Sequence, residues 1–350
     1  MVVDAVGNAL DNALTNALAN APRLAILRAA MQPILAVTVP FFALVLCGYL
    51  AGRQHVLPES AIPGLNAFVL YFALPCLLFR FGASTPVLEL LSPAVLLVYL
   101  AAALLIVFFT VALSINGRVN LKDAAFGALV AAFPNAGFMG VPLLVALMGR
   151  AAAGPMICMI LADIFVTSSL CIALAQMHGQ EGASLQAFRR ALRSALANPL
   201  PWAIAAGVLV SALGIALPGP LDAVVRMLAD AATPVALFTI GAVLWRARQH
   251  THKLTLKRDY LPVALIKLFI HPLLVFALGA LAHRWGGGLT TFQLTVMTLA
   301  AALPSASNVA MLAERYGADN GRIARIIMSS TVLAFASFSL LAWAFGVRPQ

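Results

Sequence analysis

Charge is what this chain has least of. Only 10% of its 350 residues are Asp, Glu, Lys or Arg, against about a quarter in a soluble domain, and the shortage excludes a water-soluble globule. Cysteine is scarce too. Cys47, Cys76, Cys158 and Cys171 each fall in an apolar run without metal-ligand spacing, which excludes a disulfide framework or zinc site and predicts small buried hydrophobes. No His-Glu-x-x-His, Gly-x-Ser-x-Gly or glycine-rich phosphate loop ending in lysine occurs. Intramembrane proteolysis and phosphoryl-driven transport therefore lack their parts, and no enzymatic constellation is visible.

What is present is apolar: 62% of residues are hydrophobic and the mean hydropathy is +0.97. At about 20 residues per spanning helix, the pattern predicts an all-α polytopic membrane protein with about ten spans. They centre near Leu44, Tyr71, Ala103, Pro134, Phe165, Gly207, Val235, Phe269, Leu303 and Ala334. The net charge of +10 could point to nucleic acid, but the cations lie in short loops and read as topology. The odd-numbered connections hold most of them, including Arg118, Lys122, Arg189, Arg193, Arg315 and Arg322, whereas the even ones hold Arg150 and Arg284. The positive-inside rule then places the odd loops in the cytoplasm and both termini outside. A bilayer is the expected partner, with no nucleic acid.

Two spans are interrupted. Phe133-Pro134-Asn135-Ala136-Gly137-Phe138-Met139-Gly140-Val141-Pro142 and Leu303-Pro304-Ser305-Ala306-Ser307-Asn308 set prolines among polar residues at membrane depth. Proline removes a backbone donor and clashes with the preceding turn, so each span should be a broken helix. A lone proline such as Pro75 is ordinarily a kink. Several polar groups at one depth are different, because each costs several kcal/mol in hydrocarbon unless a partner satisfies it. A solute is one such partner, which predicts a transporter. A carboxylate would dock at the half-helix N-termini, with Asn135 and Asn308 donating from amides and Ser305 and Ser307 from hydroxyls. Pro134 and Pro304 make the breaks, and Gly137 and Gly140 let the backbone approach the solute closely.

Few ionisable groups lie inside the spans. Asp163 sits mid-span, where a charge costs at least roughly 2.5 kcal/mol unless paired, hydrated or protonated. It is a candidate carrier of a co-transported proton or sodium ion, or else an aspartate bonded to hydroxyls such as that of Thr167. Lys267 and His271 share a helix face. Snorkelling, attraction of the anion, or pairing with Asp163 each account for Lys267. Arg226 and Asp230 have intrahelical i, i+4 spacing, Arg80 reads as a snorkelling residue, and Trp202, Trp245, Trp285 and Trp343 read as an interfacial belt.

The order of features repeats. Ala73-Leu74-Pro75 is answered by Ala232-Thr233-Pro234, the first broken span by the second, and Thr167-Ser168-Ser169 by Ser329-Ser330-Thr331. Five spans per half is an odd number, so the second half must be inverted, and matched breaks in inverted halves point to a binding site. The expected divisions are an Asn/Ala-rich extension (1–31), a first five-helix repeat (32–178), a cytoplasmic linker (179–197) and a second, inverted repeat (198–346).

Pro-Asn-Ala-Gly-Phe-Met-Gly-Val-Pro at 134–142, Leu65-Asn66-Ala67-Phe68-Val69 leading to Pro75, Pro304–Asn308 leading to Ala313-Glu314-Arg315-Tyr316-Gly317, and Ser330-Thr331 resemble the auxin efflux carrier family. The resemblance runs from about Ile34 to Phe345. It implies a scaffold of spans 1, 2, 6 and 7, a transport unit of spans 3–5 and 8–10, a substrate site at the crossover of spans 4 and 9, and elevator-like movement against a dimeric scaffold. The short linker, unlike the long loop of plant auxin carriers, favours a bacterial inner-membrane carrier of small organic anions, closest in appearance to malonate carriers. An organic-acid sensor and a passive anion channel are the alternatives.

Overall fold

The computed structural model describes residues 31–85, 92–177, 189, 192, 193, 195–249 and 256–349. The expected N-terminal extension, apart from Met31, and most of the expected linker lie outside them. All the regular structure described is helical: α1 (Met31–Arg53), α2 (Ala61–Ser84), α3 (Pro93–Ser114), α4 (Leu121–Ala132), α5 (Ala136–Met148), α6 (Arg150–Gln176), α7 (Pro199–Ala212), α8 (Gly219–Gln249), α9 (Lys257–Arg284), α10 (Thr291–Ala301), α11 (Val309–Arg315) and α12 (Asn320–Ala344). Seven of these, α1, α2, α3, α6, α8, α9 and α12, are long and apolar enough to cross a bilayer. The protein is an all-α polytopic membrane protein. Leu97 at 68% exposure and Val332 at 69% would be a liability in water; against lipid tails they are solvated.

The helix ends follow from local chemistry. Asn120 accepts from the amide of Asp123 to open α4, Asn198 caps α7 ahead of Pro199, Thr290 and Gln293 form a reciprocal box at α10, and Asp319 caps α12. Each satisfies amides that the first turn leaves unpaired. At Pro134 and Leu303 the expected breaks are present, between α4 and α5 and between α10 and α11.

The helices pack in two groups. In one, α2 lies against α7 and α8. A Cβ on Gly48 of α1 would come within 1.9 Å of the Phe238 carbonyl oxygen of α8, and one on Gly241 of α8 within 1.8 Å of that of Val45. Between α2 and α7, Gly82 meets the Ile204 carbonyl and Gly207 that of Phe79 in the same way. Small residues let backbones touch where the hydrophobic effect gives no drive to associate. Gly48 to Gly207 and Gly82 to Gly241 are each separated by the same number of positions as Pro75 and Pro234, so these close helix contacts recur at the spacing of the proline motifs. The other group gathers α3, α4, α5, α6, α9, α10, α11 and α12. The groups touch where α8 meets α5 and α12, and where Phe42 of α1 packs edge-on against Phe335 of α12 at 5.2 Å.

Several expectations need correction. Arg226 pairs with Asp222, one turn before it, rather than with Asp230. Asp230 instead takes Arg80 of α2 at 3.2 Å, so Arg80 makes an interhelical pair and does not simply snorkel. Trp245 is buried against Gly52 and His55, unlike the exposed Trp202 and Trp285. Cys158 and Cys171 are buried, but Cys47 is exposed. Arg322, counted above as a loop cation, is 2% exposed and ties three helices together. Its Nε donates to the Asp259 carbonyl at 2.7 Å and its Nη1 to that of Asp123 at 2.8 Å, over a floor that only Gly127 leaves open.

Candidate functional site

The two breaks meet. Pro134 and Ser305 form an isolated antiparallel bridge: the amide of Asn135 donates to the Pro304 carbonyl at 2.9 Å, and that of Ala306 to the Phe133 carbonyl at 3.1 Å. Backbone groups freed by the prolines thus satisfy one another, as burial demands. Ser305 adds a second clasp. Its hydroxyl donates to the Val130 carbonyl at 2.7 Å, and its amide donates to Ser330 Oγ of α12 at 3.2 Å.

These bonds divide the predicted residues. Ser305 is committed to the protein and positions the crossover. Asn135 and Ser307, each 4% exposed, make no side-chain hydrogen bond among the described residues, and Asn308 Oδ1 is buried without a partner. Gly140 is packed rather than open to a solute: a Cβ there would lie 2.6 Å from both Leu303 Cδ1 and Met156 Cε. Gly137 is half-buried, with only Leu74 near, at 3.9 Å. The half-helix starts also differ. The first amides of α11 turn back to Ala306 and Ser307, whereas at α5 the amides of Gly137 and Phe138 make no loop contact, leaving the usual first-turn donors free.

Behind the crossover lies a buried polar cluster. The Tyr99 hydroxyl of α3 donates to Asp163 Oδ2 at 2.8 Å and lies 3.4 Å from the carbonyl of Ala132, the last residue of α4. Lys267 of α9 donates to the carbonyl of Ala301, the last residue of α10, at 2.6 Å, and sits 3.2 Å from His271 Nδ1. Each broken helix therefore has its terminal carbonyl met by a side chain from the helix before it. Lys267 is fully buried, so it does not snorkel. With its ammonium as donor, His271 Nδ1 must accept, which puts the ring hydrogen on Nε2, an atom without a partner among the described residues. Asp163 Oδ1 and Thr167 Oγ1 are likewise unpartnered. Asp163 opens a π-helical turn (Asp163–Thr167) and Lys267 lies in another (Ile266–Ile270); such turns recur at functional sites because they re-aim side chains inside a helix.

A cavity of about 660 Å³ reaches this region. Phe133 and Asn308 line it at the crossover, Ser169 in its wall, and Arg193 and Arg315 where it passes the segment before α7 and the end of α11. Reading the sequence alone missed Tyr99, Ser330 and both arginines as members of the site. Ser330 had a signal in the repeated Ser/Thr run, and the arginines stood out only as topology markers.

A polytopic helical protein with two unwound segments crossing beside a cavity is built as a membrane transporter. The sequence profile of the family described as "Membrane transport protein" matches residues 33–343, and the chain belongs to this auxin-efflux-carrier-like family. Its members are transport proteins rather than enzymes. The chain is 31% identical over 317 residues to the "Putative malonate transporter" of Rhizobium meliloti (strain 1021), covering 89% of this chain and 96% of that one. It is 28% identical over 319 residues to an "Uncharacterized transporter" of Methanothermobacter thermautotrophicus, covering 90% and 98%. To "Uncharacterized transporter YfdV" of Escherichia coli (strain K12) it is 26% identical over 284 residues, covering 79% and 87%.

Proposed function

We propose that this transporter is a secondary carrier of small organic anions, mono- or dicarboxylates with malonate as the leading candidate, in a bacterial inner membrane. The observation that carries the reading is the bridged crossover, where Asn135 and Ser307 make no side-chain hydrogen bond among the described residues and Asn308, with an unpartnered amide oxygen, lines a cavity. A carboxylate needs donors, and the amide side chains with the open α5 start supply them without a buried cation at the site. The similarity to a protein titled a malonate transporter supports the choice of acid.

The finer architecture belongs to the same proposal. Joining α4 to α5 and α10 to α11 as broken spans, and counting the 14-residue α7 as a short one, yields ten spans in two inverted five-helix repeats. The glycine contacts repeated at one sequence offset support that symmetry. The group containing α1, α2, α7 and α8 would be the scaffold, dimeric in the membrane, and the other the moving unit. Two inverted halves supply two nearly equivalent conformations, which alternating access requires. Membrane potential drives an anion outward by about 2.3 kcal/mol per charge per 100 mV, so uptake requires a co-transported proton or cation. Asp163, with one oxygen unpartnered, is the proposed carrier of that proton or sodium ion, and Lys267 its charge balance.

The test is counterflow of labelled malonate into proteoliposomes preloaded with unlabelled acids, with wild type beside Asn135→Ala. Transient accumulation in wild type that vanishes in the variant supports a carrier with its site at the crossover. Rapid flux without counterflow indicates a channel. Binding without flux indicates a sensor.

A further inference from the structure

We propose that Arg193 and Arg315 form a second anion subsite in the cavity, which makes the protein select dianions over monoanions. The inference rests on the carrier reading above and specifies its substrate. Along α11, the residues that line the cavity are Asn308, Met311, Leu312 and Arg315, spaced i, i+3, i+4, i+7, which is one helix face. That face runs from the Asn308 amide, whose NH2 can donate to a carboxylate, through two apolar side chains to a guanidinium. Seven residues of helix rise about 10 Å, and side chains lean toward the helix N-terminus. Arg315 is thereby inclined back toward Asn308 along the face they share.

The opposite walls agree. Ser169 of α6 lines the cavity with its hydroxyl buried and unpartnered, a second hydrogen-bonding group at the depth of α6 next to the cluster around Asp163. Arg193 enters from the segment before α7, a helix that packs on α2 in the other group. The two arginines thus stand on walls belonging to different helix groups. Among the described residues, no Asp or Glu lines the cavity and neither arginine is paired with a carboxylate. Two solvent-facing guanidiniums on the cavity wall attract anions, and a planar fork matches a carboxylate at two points. One carboxylate held near Asn308 leaves a second within reach of the forks; a monocarboxylate presents an apolar end there instead.

The experiment compares wild type, Arg193→Gln and Arg315→Gln with malonate and propionate, added at the face where the cavity opens. Both arginines are exposed, so the ligand-free variants should melt with wild type. Each variant is expected to raise the malonate KM about tenfold, equivalent to 1.4 kcal/mol, with propionate changed less than twofold. Malonate-dependent thermal stabilisation of the purified protein should fall in parallel. Equal changes for both acids, or none for either, would overturn the subsite. Should wild type move no acid while malonate stabilises it in an arginine-dependent way, the carrier reading fails and the subsite stands.

Discussion

Tyr99 and Asp163 lie 64 positions apart on different helices, yet the hydroxyl of one donates to Oδ2 of the other at 2.8 Å in a region closed to solvent. This bond links the only buried carboxylate among the described residues to the end of α4. Tyr99→Phe removes the donor and nothing else of size. Leaving a buried partner without its hydrogen bond costs about 1–3 kcal/mol, so the variant should melt earlier in detergent and exchange substrate more slowly. Unchanged melting and exchange would show that the bond contributes to neither.

Asp163→Asn keeps the shape and can still accept from Tyr99, but it cannot carry a charge or exchange a proton. Counterflow should survive while uphill accumulation driven by an ion gradient disappears. Accumulation at the wild-type level would remove Asp163 from coupling.

Two serines two positions apart should separate cleanly. Ser305→Ala strips the Val130 carbonyl of its hydroxyl donor in a buried place while the backbone bond to Ser330 stays, costing about 1–3 kcal/mol, and should appear chiefly as a lower melting temperature. Ser307→Ala removes no bond, so melting should hold while substrate KM rises. Identical behaviour of the two would contradict the division of roles at the crossover.

Arg322 provides a stability test. Arg322→Leu leaves the Asp123 and Asp259 carbonyls without their donor and the carboxylates around it without their cation, a loss of about 3–5 kcal/mol by analogy with broken buried pairs. Size-exclusion profiles should show loss of folded protein, while Arg315→Gln, seven positions earlier at the exposed end of α11, should not.

The glycines can be sorted in advance. Gly241→Ala places a methyl 1.8 Å from a backbone carbonyl oxygen and Gly207→Ala one 2.2 Å away, so both should force helices apart and reduce expression. Gly64→Ala meets nothing within 4 Å inside α2 and should be neutral or stabilising by up to about 1 kcal/mol. The difference is readable in membrane yields.

Much of this arrangement could be read before any coordinates. Apolar runs located the seven long helices, and Pro134 and Pro304 located the breaks, because proline acts through its own backbone. Contacts between helices were less legible. That Asp230 takes Arg80 instead of Arg226 depends on how α2 lies against α8, and i, i+4 spacing along one helix carries no information about that. Lys267 showed its burial cost in the sequence, but the Ala301 carbonyl that offsets it appears only once α10 ends beside α9. The glycine pairs were an overlooked signal, since their shared offset with Pro75 and Pro234 was visible in the sequence.

The Pro134–Ser305 bridge has a consequence for how this protein tolerates change. Unwound segments elsewhere accept insertions readily, but strand-like pairing sends alternate side chains to opposite faces, so adding one residue reverses them all. A single-residue insertion beside Asn135 would reverse the side chains that follow it and break the register of the Pro134–Ser305 pairing. Length at these two loops is therefore as constrained as volume is in a core, and drift in one would have to be matched by drift in the other.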